Sequence, residues 1–126
     1  MSFKTDYGRV MGLGSAKHGT DHFWMQRMTA IALAVLTPFF LITFASNLGQ
    51  PIEEVHATYG HPFNAIVAAL FVLLTAYHMA LGVQVVVEDY VHHKGWRTLL
   101  LLGNSGFGIA VGFTGLFAIA KIAFTA

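Results

Sequence analysis

The stretch from Pro62 to Tyr90 reads PFNAIVAALFVLLTAYHMALGVQVVVEDY, and its first charged residue is Glu88. An apolar run of this length exceeds the ~20 residues that an α-helix needs to cross the hydrocarbon of a bilayer. Proline suits the first turn, where a missing N–H forfeits no intrahelical bond. The run predicts a spanning helix over about 62–90. Two further charge-free windows, Met28 to Ile52 and Thr98 to Ala120, flank it. They predict helices over about 23–45 and 97–124, with Trp24 at an interface and Pro38 bending the first helix rather than ending it. The fold class expected is an all-α membrane protein of three transmembrane helices. It forms a single domain over residues 1–126, in which 1–22 are a polar N-terminal segment.

Composition agrees. Of the 126 residues, 56% are hydrophobic and 10% charged, against about 25% charged in an ordinary soluble domain. Mean hydropathy is +0.63. The chain has no cysteine, so it offers no disulfide, no iron–sulfur ligand and no thiolate for a haem. A net charge of +1 gives no footing for nucleic acid. A cleaved signal sequence is not expected, because the first apolar stretch is long, follows a polar segment and is succeeded by two more.

Orientation follows from basic residues. Lys4, Arg9, Lys17 and Arg27 precede or open the first helix, and Lys94 and Arg97 lie between the second and third. Between the first and second lie Glu53 and Glu54 with no Lys or Arg. The positive-inside rule places the N-terminus in the cytoplasm and the C-terminus on the far, periplasmic side.

His78 is the ionisable residue set deep in the second helix, where an imidazolium would be costly to bury and a histidine is by default a candidate functional group. A neutral ring nitrogen can hydrogen-bond a neighbouring helix, or it can coordinate haem iron. Gly82, one turn later on nearly the same face, leaves room for a large planar group. The other histidines fall outside the predicted spans, so a second imidazole on the same iron would have to come from another chain. Eleven residues beyond His78 stands Asp89, within about 20° of the same face and roughly 16 Å along the axis. Tyr90 follows it. A phenol can donate to a quinone carbonyl while a neighbouring carboxylate orients it or passes protons; equally, the pair suits an aromatic belt and a solvated helix end. In the third helix Gly103, Gly106, Gly108, Gly112 and Gly115 thin one side, and Gly108 with Gly112 makes a GxxxG pair through which another backbone can approach.

The run His78-xxx-Gly82-xxxxxx-Asp89-Tyr90 resembles the signature of the small, D-type hydrophobic membrane anchor of succinate dehydrogenase, respiratory complex II. The segment from Gly14 to Ala30, GSAKHGTDHFWMQRMTA, is similar to that family's entry into its first helix. The resemblance covers nearly the whole chain. It implies a membrane-anchor domain that packs with a C-type partner anchor into a helical bundle, beneath an iron–sulfur subunit and the flavoprotein that oxidises succinate. It implies that His78 is one axial ligand of a haem b whose iron is shared with the partner anchor, and that Tyr90, supported by Asp89, binds ubiquinone. Arg27, with His22 beside it, would hold a haem propionate; a positive-inside arginine with no cofactor is the alternative. A fumarate reductase anchor, or a non-redox membrane subunit with a His78–Asp89 proton relay, are the other readings. A bacterial inner membrane is the expected location, since the N-terminus lacks the Arg- and Ser-rich, acid-poor character of an imported mitochondrial presequence.

Overall fold

The structure, a computed structural model, describes residues 5–12 and 19–125. Five helices follow one another: α1 (Asp6–Met11), α2 (Asp21–Ser46), α3 (Ile52–Gly60), α4 (Pro62–Tyr90) and α5 (Lys94–Thr125). Three of them, α2, α4 and α5, are long and apolar enough to cross a membrane, with mean hydropathy of 2.1, 2.1 and 1.9 in their most apolar windows. No strand occurs among the described residues. The all-helical, three-span architecture is therefore as the sequence predicts. Pro62 stands at the head of α4, and α2 runs on through Pro38 to Ser46.

Two short helices, α1 and α3, occupy segments that the hydropathy pattern marks only as connections. In α1, Thr5 caps the helix by accepting a hydrogen bond from Gly8 N at 3.0 Å. In α3, Pro51 precedes the first turn and Glu53 and Glu54 lie within it, where carboxylates favour the positive end of the helix dipole. Gly49, at φ +77°, supplies the left-handed residue that turns the end of α2 toward α3. These are local capping signals, overshadowed in the sequence by the strong hydropathy of the flanking spans.

α4 is the central element. It packs against α2 on one side and α5 on the other, and it contributes the buried residues Val67, Ala68, Ala76, Leu81 and Val87. The two interfaces are built differently. Along α2 and α4 the half nearer α3 is zipped by rings: Phe40 stacks on Phe71 with centroids 4.2 Å apart, and Phe39 meets Phe63 edge-on at 6.3 Å. Asn47, at the end of α2, is tied to α3 by Thr58 Oγ1, which donates to its Oδ1 at 3.2 Å. Asn64 Nδ2 on α4 in turn donates to the Thr58 carbonyl at 2.9 Å.

The α4–α5 interface is made close by missing side chains. Gly108 and Gly112 are buried. A Cβ on Gly108 would stand 3.2 Å from Ala80 Cβ, and one on Gly115 only 2.5 Å from Val72 Cγ1. The GxxxG pair thus does serve helix packing within the chain. Gly103 and Gly106 do not share in it, since an added Cβ at either meets nothing within 4 Å. Most large apolar side chains point outward, Ile42, Leu102, Phe113 and Phe117 among them, as expected when lipid or another apolar chain is the solvent.

Replacing Gly115 by Ala should force Val72 or the helix itself to shift, at an overpacking cost of about 1–3 kcal/mol. Gly106→Ala should alter stability by less than about 1 kcal/mol, in the favourable direction that alanine has in a helix. Thermal unfolding of the detergent-extracted protein compares the two; equal effects would contradict this packing.

Candidate functional site

The first turns of α2 place His22, Gln26 and Thr29 at spacings of four and three, so they share one helix face. On α4 the same spacing rule aligns His78, Gly82 and Val85. The two faces meet. His78 Nδ1 lies 2.8 Å from Thr29 Oγ1, and His78 Nε2 lies 3.4 Å from Gln26 Nε2. Thr29 is buried, at 6% exposure, and His78 is half-buried. Thr29 Oγ1 also lies 2.8 Å from the Met25 carbonyl and 3.1 Å from that of Gln26.

Beside this contact opens a cleft of about 520 Å³, lined by His22, Phe23, Gln26, Arg27, Gly82 and Val85 among others. Its wall holds two buried polar atoms with no hydrogen-bond partner, His22 Nε2 and Gln26 Oε1. Buried polar atoms are nearly always paired, and an orphan calls for an explanation. The Arg27 guanidinium sits over the Phe23 ring, 5.0 Å from its centroid. Gly82 contributes open space: an added Cβ would make an ordinary contact, 3.6 Å from Gln26 Nε2, so packing within the chain does not demand glycine there. The cleft therefore offers an open edge at Gly82, the guanidinium of Arg27, and two unpartnered polar atoms, of which Gln26 Oε1 can only accept.

Of the residues singled out in the sequence, the structure brings three to one cleft, Gly82, Arg27 and His22; His78 lies beside it, its ring nitrogens against Gln26 and Thr29. Asp89 and Tyr90 lie apart at the C-terminal end of α4, both exposed, Tyr90 at 77%. Neither contacts the histidine, whose ring nitrogens are engaged by α2. Part of the quoted entry segment, residues 14–18 with His18 among them, falls outside the described residues. Among the described residues no group of three or more His, Asp or Glu gathers that could hold a metal ion; His78 stands as a lone imidazole. Gln26 and Thr29 are site residues that the sequence pattern does not single out. Their signal is present as polar residues three apart in an otherwise apolar helix, but which helix they face depends on tertiary register.

A second groove, of about 350 Å³, lies between α4 and α5. It is apolar, and Asn104 at its edge is already committed, donating from Nδ2 to the Ala80 carbonyl at 2.7 Å.

The fold and the cleft define a polytopic membrane subunit with a histidine-centred polar site between two spans. The sequence pattern described as succinate dehydrogenase/fumarate reductase transmembrane subunit matches residues 1–113, and the chain belongs to that family. It is 36% identical over 122 residues to the succinate dehydrogenase hydrophobic membrane anchor subunit of Paracoccus denitrificans, covering 97% of this chain and 94% of the relative. The protein of the same name from Rickettsia typhi is 34% identical over 102 residues, covering 79% and 81%. The succinate dehydrogenase membrane anchor subunit of Reclinomonas americana is 31% identical over 86 residues, covering 64% and 70%. No solved structure matches the chain.

Proposed function

We propose that the chain is the hydrophobic anchor of a succinate:quinone oxidoreductase, in which it holds one side of a haem b and forms part of a ubiquinone pocket. The observation that carries this reading is the cleft between α2 and α4. Its lining carries a glycine that chain packing does not require, a guanidinium and an unpartnered His22 Nε2, and it opens beside the half-buried His78 imidazole, from which Gln26 separates it. The donors of Arg27 and His22 would suit the acidic side arms of a flat macrocycle. His78 would ligate the iron through Nε2, and Gly82 would leave room for the ring edge. Arg27 would pair with a propionate through its planar fork, with His22 donating beside it. With His22 given to the propionate, the second axial imidazole would come from a C-type partner anchor. When bound, haem b supplies one-electron storage close to the quinone.

Tyr90 and Asp89, at the end of α4, would serve the quinone. Reduction of a quinone to a quinol consumes two electrons and two protons. The Tyr90 phenol would donate a hydrogen bond to a quinone carbonyl oxygen, and the Asp89 carboxylate would orient that phenol and take up protons from water. Their exposure fits a head group arriving from lipid and completed by other chains. The distribution of Lys and Arg supports a cytoplasmic N-terminus and a periplasmic C-terminus, so that both the cleft and Tyr90 lie toward the cytoplasmic face. There the iron–sulfur subunit would deliver electrons taken from succinate by the flavoprotein. The Paracoccus and Rickettsia relatives support a bacterial inner membrane as the location.

His78→Ala should remove most of the haem from the purified complex, read as loss of the b-type band in the reduced-minus-oxidised spectrum; unchanged haem content would defeat the assignment. Tyr90→Phe removes one hydrogen bond of about 0.5–1.5 kcal/mol and should slow quinone reduction about 2- to 10-fold. Succinate oxidation by an artificial acceptor should be retained, and equal loss of both activities would argue against a role in the pocket.

A further inference from the structure

We propose that Thr29 is a positioning residue for His78: its hydroxyl accepts the Nδ1–H and so fixes the tautomer in which Nε2 presents a bare lone pair toward the cleft side. The inference rests on the reading of His78 as a haem ligand and adds to it the group that aims and polarises the ring.

The assignment follows from one hydroxyl proton and three close partners. Thr29 Oγ1 lies 2.8 Å from Met25 O, 3.1 Å from Gln26 O and 2.8 Å from His78 Nδ1. Carbonyl oxygens only accept. Were the proton aimed at Nδ1, two oxygens would face each other at 2.8 Å with nothing between them. With the proton on Met25 O, the hydroxyl oxygen is free to accept from Nδ1–H, and both contacts of 2.8 Å are hydrogen bonds. Nε2 is then unprotonated, and the Gln26 carboxamide, 3.4 Å away, donates to it. Thr29 is buried and anchored to its own helix by this back-bond, so the ring cannot rotate without breaking a dry hydrogen bond. A ligating histidine is ordinarily oriented in this way by an acceptor on its other nitrogen, which also raises the ligand's basicity. Gln26 Nε2 lies against His78 Nε2, and its carboxamide would have to turn aside for Nε2 to ligate iron. Its unpartnered Oε1 leaves the carboxamide with one fewer bond to break.

The test uses the assembled complex carrying Thr29→Val, Thr29→Ala or Thr29→Ser. Valine preserves shape without the hydroxyl, alanine avoids crowding should valine impair assembly, and serine keeps the acceptor. Loss of the acceptor should weaken haem retention about 10- to 100-fold. It should also raise the haem midpoint potential, because a less basic imidazole favours ferric iron less. The low-spin ferric resonance should shift with it, and serine should restore all three. Equal potential and spectrum in the alanine and serine complexes would overturn the proposal while leaving haem ligation by His78 standing. Full haem content in His78→Ala would instead remove the reading on which it rests.

Discussion

The contact between Thr29 and His78 organises the half of this protein around the start of α2 and the end of α4. In hydrocarbon an unpaired polar group is penalised by several kcal/mol, so a histidine in a spanning helix must be met by something on its neighbour. α2 meets it with a hydroxyl and a carboxamide one turn apart. That pairing sets the register of α2 against α4, and the register places Phe40 on Phe71 and Phe39 on Phe63 in the half nearer α3. Polar recognition at one end and ring stacking at the other thus specify a single alignment. Apolar side chains in lipid could not do so alone, because the lipid tails offer equivalent contacts.

The opposite face of α4 solves a different problem. Against α5 there is little polar pairing beyond Asn104 with the Ala80 carbonyl, and closeness comes from Gly108, Gly112 and Gly115 fitting against Ala76, Ala80 and Val72. A tight, side-chain-poor interface makes α4 and α5 one rigid support, against which the α2 side can carry a cleft. The division is functional as well as structural. Polar atoms left without partners, His22 Nε2 and Gln26 Oε1, occur on the α2 side.

The three spans were legible because lipid imposes a coarse rule: length and apolarity suffice, and Pro62 and Tyr90 marked the ends of α4 to the residue. His78, Gly82, Arg27 and His22 were legible as residue types in a family-like pattern; Gly82, Arg27 and His22 line one cleft, and His78 packs against α2 beside it. Thr29 and Gln26 were not. A threonine in a membrane helix commonly bonds back to its own carbonyls, as Thr37 does to Leu33 at 2.6 Å, and nothing local distinguishes Thr29 from Thr37. Only the α2–α4 register does. The glycines of α5 carry the same lesson, since five shared one appearance and Gly103 and Gly106 proved to have no neighbour to accommodate.

Those open glycines bear on how the subunit is completed. α5 is thinned at Gly103 and Gly106 where this chain brings nothing near, and the exposed surface around them includes Leu102 and Phe107. The cleft at α2 likewise has a wall on one side only, formed by this chain's His22, Arg27 and Gly82. His22, on the α2 span, lines that cleft, while His78 is turned onto Gln26 and Thr29. The chain therefore leaves room for a neighbour on two surfaces of opposite character: a cleft at α2 edged by a guanidinium and unpartnered polar atoms, and an apolar surface on α5 thinned by Gly103 and Gly106.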